Sequence, residues 1–392
     1  MTVATAAADE SRREAAGAHL VDAVAARLGG RRPDLCFLFA SAQLGDELAE
    51  AAAVICERLS PRVLLGTTAE SVVWDSLELE QQAALVLWAA HLPGVRCAAF
   101  HLSEEDVERL STPAAWHEYI GVSAAQQPHF VVLVDPYTVN PIRVLERLGE
   151  AYPGRPAVGG LASGGKGPGQ NVILFEGHPL RHGLCGVALW GNIEIDTVVS
   201  QGCRPIGRHL VITEGERNVI RTLGGKPSLA ALIETLKSCT TRDLELAQTG
   251  GLLVGRVINE QQPTFVRGDF LIRYPLGFDE SSGAMMINDL IRKGQTIQFH
   301  VRDSASADDD LISLLAARPR TDAAGALLFT CNGRGSRLFA ERHHDARAIA
   351  RASCGRPLAG FFCLGEIGPV GHRNFVHGHT AVVAFFRPAD VA

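Results

Sequence analysis

The chain has 392 residues, 46% hydrophobic and 20% charged, with a formal net charge of −6. That length and apolar content suit two domains, each with its own core. Lys and Arg are scattered in a net-negative chain, which argues against a nucleic-acid face, and no apolar run approaches the roughly 18–20 residues needed to cross a bilayer. Charges at Asp9, Glu10, Arg12, Arg13 and Glu14 interrupt any secretory core, so a cytoplasmic location is expected. Nine cysteines with no CxxC pair read as free thiols in a reducing compartment.

An Ala-rich tail opens the chain, and a helical pattern runs through His19, Leu20, Ala23 and Val24 to Leu28, ended by Gly29-Gly30. Residues 1–30 are expected to form an N-terminal helical extension, 31–240 a first domain and 241–392 a second. Leu35–Phe39 reads as a buried strand, Asp46–Leu59 as a helix, and Pro61–Leu65 as a second strand entering the loop GTTAE. Leu77–His91 is expected to be helical. Phe130–Val134 then repeats the order: it ends at Asp135-Pro136, a helix follows over Ile142–Glu150, and Arg155–Val158 leads into GGLASGG.

Asn171–Ile195 reads as two strands about the turn FEGHP, and Ser228–Ser238 as a helix. Gly251–Val257, Phe265–Ile272 and Thr296–Val301 have strand character. Asp308, Asp309 and Asp310 precede Leu311, Leu314 and Leu315, as acidic residues at a helix start would. Gly325–Thr330 begins the order a third time, with the loop CNGRG, a helix over Asp345–Ala352, and the strand through Gly360 that leads to Glu366.

Apolar runs bounded by turns and alternating with helices define βαβ-type units, whose parallel strands need a crossover of about a dozen residues. The expected fold class is α/β, with repeated βαβ-type units in two packed mixed-sheet domains. Open α/β sheets bind ligands where loops leave the carboxyl ends of their strands, so the three glycine-spaced loops form a candidate pocket wall.

The strings GTTAESVV, PAVGGLASGG and VSQGCRPIG in the first half are characteristic, as are RGDFLIR, GQTIQFHVRD, LLFTCNGRGSRLF and GEIGPVGHRNFVHG in the second. With them the chain resembles the FIST family (F-box and intracellular signal transduction proteins) from about residue 33 to 386. The resemblance implies paired N-terminal and C-terminal FIST domains that bind a small ligand, with amino acids the usual suggestion.

Three catalytic or metal patterns fail on inspection. Gly160–Lys166 approaches a phosphate loop, but Gly167 stands where a magnesium-binding hydroxyl belongs. Ser163 lacks the glycine a nucleophile elbow needs, because Leu161 occupies that position. His372, His377 and His379 fit no zinc spacing. Cys331, beside Arg334 and free backbone N–H groups, and Cys363, with His377 as a base, are candidate nucleophiles that nothing in the sequence brings together.

No catalytic residue, cofactor or metal is therefore expected, and the loops supply a binding set. Glu366 and Asp135 would take an ammonium group. Arg334, Arg373 and the N–H groups of Gly159, Gly160, Gly333 and Gly365 would take a carboxylate. Thr67, Thr68, Glu70, Ser163, Cys331, Asn332, Asn374 and His377 complete the wall. Asp135 before Pro136 reads equally as a turn former, Glu70 as a local cap and Arg373 as a surface residue. The expected function is a stand-alone sensor of an amino acid or similar metabolite. It would use a small-molecule ligand and a separate signalling partner or a second copy, with neither nucleic acid nor membrane. A protein-interaction module and an enzyme using a pocket cysteine are the alternatives.

Overall fold

The expected repeats are present, and they form three sheets. In the computed structural model, which describes residues 1–45, 47–318 and 322–389, two compact units interleave along the chain. The first comprises residues 1–199, 312–376 and 380 onward; the second comprises 200–311 with 377–379.

Each sheet of the first unit is centred on a parallel pair. Leu35–Ser41 pairs with Val63–Ala69, His129–Val134 with Ala157–Leu161, and Gly325–Cys331 with Leu358–Cys363. The crossover helices are Glu47–Leu59, Pro141–Ala151 and His344–Ala352; Asp46, the expected start of the first, lies outside the described residues. An antiparallel strand of the same repeat flanks each pair, namely Ala84–His91, Leu184–Gly191 and Thr380–Arg387.

The other flank is filled by exchange. Val72–Trp74 of the first repeat joins the third sheet, Ile173–Phe175 of the second joins the first, and Glu366–Val370 of the third joins the second. Each repeat thus completes another repeat's sheet, in a cycle.

The period-2 alternation of strands sorts the side chains. Phe37 and Phe39 face a core shared by all three sheets, with Val131, Leu133, Phe329 and Phe361. Phe361 packs 5.2 Å from Phe39 and 5.6 Å from Phe329, ring centre to ring centre. Cys36 and Leu38 point the other way, toward Leu20, Val24, Leu48 and Ile55 of two covering helices.

One glycine recurs at the same register in every repeat: Gly66 opposite Leu38, Gly159 opposite Val132, and Gly360 opposite Leu328. A Cβ on these glycines would stand 2.1, 1.8 and 1.8 Å from the facing carbonyl oxygens. The same three pair on their other side with the exchanged strands, at Leu174, Ile367 and Val73. Close backbone approach is the reason for glycine here.

Several expectations are corrected. The Ala-rich tail is a strand, Thr2–Asp9, paired residue for residue with Ala84–His91; its alanines let the covering helix come close. The helix after it is present as Ala16–Leu28, capped by Gly29 in the left-handed region. Leu77–His91 forms the strands Leu77–Leu79 and Ala84–His91, not a helix. The second is buried on both faces, so its apolar run is unbroken and shows no strand period. Asn171–Ile195 holds three full strands and the start of a fourth, Ile173–Phe175, His178–Leu180, Leu184–Gly191 and Glu194–Gln201. The Asp308–Asp310 run lies inside the helix Ser304–Ala316, where Asp310 accepts hydrogen bonds from Ser200 Oγ and Gln201 N.

The second unit is built on the long strand Cys203–Glu216, antiparallel to Thr296–Arg302 and Val219–Leu223. Leu252–Val257 joins Thr296–Arg302 and Phe270–Arg273. Phe265 precedes that last strand because a turn closed by Asp269 N to Val266 O intervenes. Helix Ser228–Lys237 packs Ala231 and Leu232 into this unit's core.

Gly360→Ala is expected to cost about 3 kcal/mol or more, since its Cβ meets fixed backbone instead of a movable side chain. Gly149→Ala, in helix Pro141–Ala151 with nothing within 4 Å of the new methyl, should stabilise by roughly 0.5–1 kcal/mol. Urea unfolding of the two variants checks both signs.

Candidate functional site

The carboxyl ends of the three parallel pairs meet, and hydrogen bonds tie them pairwise. Ser163 Oγ donates to Phe362 O and accepts from Glu70 N at 2.9 Å, so one hydroxyl links all three repeats. Phe362 N donates to Ser71 O at 2.9 Å, Leu161 N to Gly365 O at 2.8 Å, and Ser163 N to Thr68 O at 3.4 Å. Thr67 Oγ1 donates to Val172 O, while Thr68 Oγ1 accepts from Val172 N. Thr67, Gly159 and Gly160 therefore lie within strands and serve packing: a Cβ on Gly160 would stand close against Cys363 Sγ. The strands run further than the sequence suggested, and the loops begin after Ala69 and Leu161.

Asp135 is buried, and its carboxylate accepts from Asn171 Nδ2 at 2.9 Å, Thr138 Oγ1 at 2.8 Å and Tyr137 N at 3.3 Å. Asn171 Oδ1 in turn accepts from Gly165 N at 2.7 Å. Asp135 thus anchors the GGLASGG loop and begins the turn.

Beside this junction lies an open cleft of about 120 Å³. Thr68 and Val172 form its buried floor and Gly45 and Gly164 its walls, while Gln43, Gln170 and Arg181 stand at its exposed rim. The three rim residues escaped sequence reasoning: Gln43 lies in the short 3-10 helix Ala42–Leu44, Gln170 and Arg181 lie in bends, and none belongs to the strings that marked the loops. Arg181 donates to Gly169 O at 3.4 Å, which holds it next to that loop.

A second group of expected residues sits in a buried ionic cluster. Arg334, with a fully buried side chain, grips Asp345 with Nε and Nη2 at 2.6 and 2.8 Å. His344 Nδ1 lies 3.0 Å from the same carboxylate, with its ring stacked on Phe339 at 3.5 Å. Burial would raise the Asp345 pKa, but the Arg334 guanidinium outweighs it and holds the carboxyl below the usual range. Arg334 therefore ties the CNGRG loop to helix His344–Ala352.

Glu78, missed from sequence because its segment was read as helix, accepts from Ala346 N at 3.0 Å. Burial, then the Asp345 charge, pushes its pKa up to about 8. Glu366 is wholly buried and pushed well above the carboxylate range by burial; Thr380 N, donating at 3.1 Å, offsets this only in part. Burial thus disfavours the charged form of Glu366 and makes it a poor counter-ion for an ammonium group. Cys331 and Cys363 are register partners. Burial, then Glu366, keeps the Cys363 thiol protonated, whereas Cys331 Sγ accepts from Gly333 N at 3.4 Å. Asn332 N donates to Cys363 O at 2.9 Å.

Glu70 reaches across the junction to Arg337, 2.6 Å away on a half-exposed surface. The remaining expected residues lie apart. Arg373 is exposed, with its guanidinium 5.4 Å from the Phe375 ring centre. Asn374 bridges Ala157 N and Arg155 O, and His377 belongs to the second unit.

Three βαβ repeats whose glycine-spaced loops meet beside a polar cleft make this a mixed α/β protein. A FIST N domain model matches residues 34–226 and a FIST C domain model residues 229–369, and the chain belongs to the FIST family. FIST domains are associated with signal transduction and small-ligand sensing. The uncharacterized protein Mb0898c of Mycobacterium bovis is 38% identical over 362 residues, covering 92% of each chain. The uncharacterized protein MT0656 of Mycobacterium tuberculosis is 39% identical with the same coverage. Among solved structures, a cyanuric acid hydrolase from A. caulinodans aligns over 99% of both chains, with 8% identity and a TM-score of 0.37. No helix among the described residues is long and apolar enough to cross a membrane.

The Glu78 shift has a testable sign. Its folded pKa of about 8 exceeds the ordinary 4.5, so between these values the native state holds a proton that the unfolded chain has released. Stability from this group is complete below pH 4.5 and is lost as pH rises through 8. Glu366 acts in the same direction. Urea midpoints are expected to fall from pH 5 to pH 8.5, and Glu78→Gln should flatten that fall; an unchanged slope would exclude Glu78 as its source.

Proposed function

We propose that this protein is a cytoplasmic, non-enzymatic sensor that binds an amino acid or a similar small zwitterion in the Thr68–Gly164 cleft. Binding would alter the loop junction and so its affinity for a separate signalling protein. The cleft beside the junction of all three repeats is the observation that carries this reading. Arg181 supplies a fixed cation for a carboxylate, in the geometry that makes guanidinium groups good anion partners. Gln43 and Gln170 can accept from an ammonium group, and the site is small enough to favour short side chains.

Binding without turnover fits the groups at hand. The Ser163 hydroxyl is committed to Phe362 O and Glu70 N, and the Cys363 thiol is held protonated. All nine cysteines are unpaired with one another, which suits a reducing compartment.

A thermal-shift screen of the twenty amino acids and small carboxylates, followed by calorimetry, tests the reading. A ligand at about a hundred times its Kd should stabilise by roughly 2.7 kcal/mol. Arg181→Ala is expected to weaken it about tenfold or more, the loss of roughly 1.4 kcal/mol from a charged contact, and the ligand should be recovered unchanged by mass spectrometry. Conversion to a product, or no stabilisation by any member of the panel, would overturn it.

A further inference from the structure

The second unit has a larger groove, of about 280 Å³, between the Cys203–Glu216/Val219–Leu223 hairpin and helix Ser228–Lys237. Its chemistry differs from that of the first cleft. Leu210, Leu223 and Ala231, all buried, give it an apolar floor. Arg208, Lys226 and Glu234 form its charged rim.

The rim is unbalanced. Glu234 receives Lys226 Nζ at 2.5 Å, and its carboxyl is held below the usual range by Lys226 first, with Arg208 and Lys237 acting in the same direction. The rim thus carries two cations, Arg208 and Lys226, and one carboxylate. Lys226 and Glu234 are both more than half exposed, at 54% each, and an ion pair in water is worth little and exchanges readily. An incoming carboxylate can share Lys226 and take Arg208 at small cost.

We propose that this groove binds a small monocarboxylate with a short aliphatic chain. The carboxylate lies between Arg208 and Lys226, and the chain lies on Leu210, Leu223 and Ala231. Burial of each added methylene on that floor strengthens binding. Glu234 repels a second carboxylate, so monoacids are preferred to diacids. The site is independent of the cleft in the first unit and takes a different ligand class.

Calorimetry of the full chain with butanoate, hexanoate, hexanamide and hexanedioate tests the assignment. Hexanoate should bind more tightly than butanoate, with hexanamide and hexanedioate at least ~10-fold weaker, as expected when one charged contact is lost or opposed. Arg208→Gln, on the exposed rim, should weaken hexanoate about tenfold. Ala231→Leu, which fills the floor, should abolish binding, with its thermal unfolding checked against the parent. Equal affinity for hexanamide, indifference to Arg208→Gln, or no heat with millimolar hexanoate would overturn the proposal. Loss of hexanoate binding in Arg181→Ala instead would place the ligand in the first cleft.

Discussion

The approach of three backbone carbonyls to three glycines sets the geometry of the first unit. The oxygens of Leu38, Val132 and Leu328 occupy space that any side chain at residues 66, 159 or 360 would need. Each glycine also pairs with a strand supplied by another repeat. Removing one clearance would disturb a parallel pair and an exchanged strand together, and the shared core with them. The repeats are therefore interdependent: none completes its own sheet. A cyclic exchange of this kind brings the three strand-end loops to one junction without a dedicated linker.

What happens at that junction separates structure from function. Most hydroxyls, amides and carboxylates at the loops are spent on one another. Ser163 links three repeats, Asp135 and Asn171 hold the GGLASGG loop, and Arg334 with Asp345 holds CNGRG. A buried ion pair of this quality is weak evidence of net stability, yet removing one partner strands the other charge in the core. Arg334 reads as a positioning residue for its loop. Arg181, Gln43 and Gln170 stand on the exposed rim around Thr68, where the proposed ligand would lie.

The sequence made the repeats legible because each carries the same signals: an apolar run, a helix of similar length and a second run ending in glycines. Three helices and three parallel pairs follow from that pattern. The strand Thr2–Asp9 was hidden by alanine, which favours helix on its own and forms a strand here because Ala84–His91 supplies its pairing. The strand Ala84–His91 was hidden by burial on both faces, which erases period-2 alternation. The site was half legible. Thr68, Glu70, Ser163 and Gly365 do gather at one junction, because loops at equivalent strand ends must. Glu78 and Arg181 were not legible, since each comes from a segment outside the glycine strings, and only the fold brings it to its cluster or cleft. Glu366 was expected to take an ammonium group; its complete burial, which raises its pKa, is a consequence of the fold that no motif reveals.

Amide hydrogen exchange, with and without the tightest amino acid of the panel, tests the central claim most directly. Bound ligand is expected to protect residues 43–45, 66–71, 163–172 and 181, the segments that line the cleft and hold the loop junction. Protection confined to residues 207–238, or none in the first unit despite saturation, would contradict it.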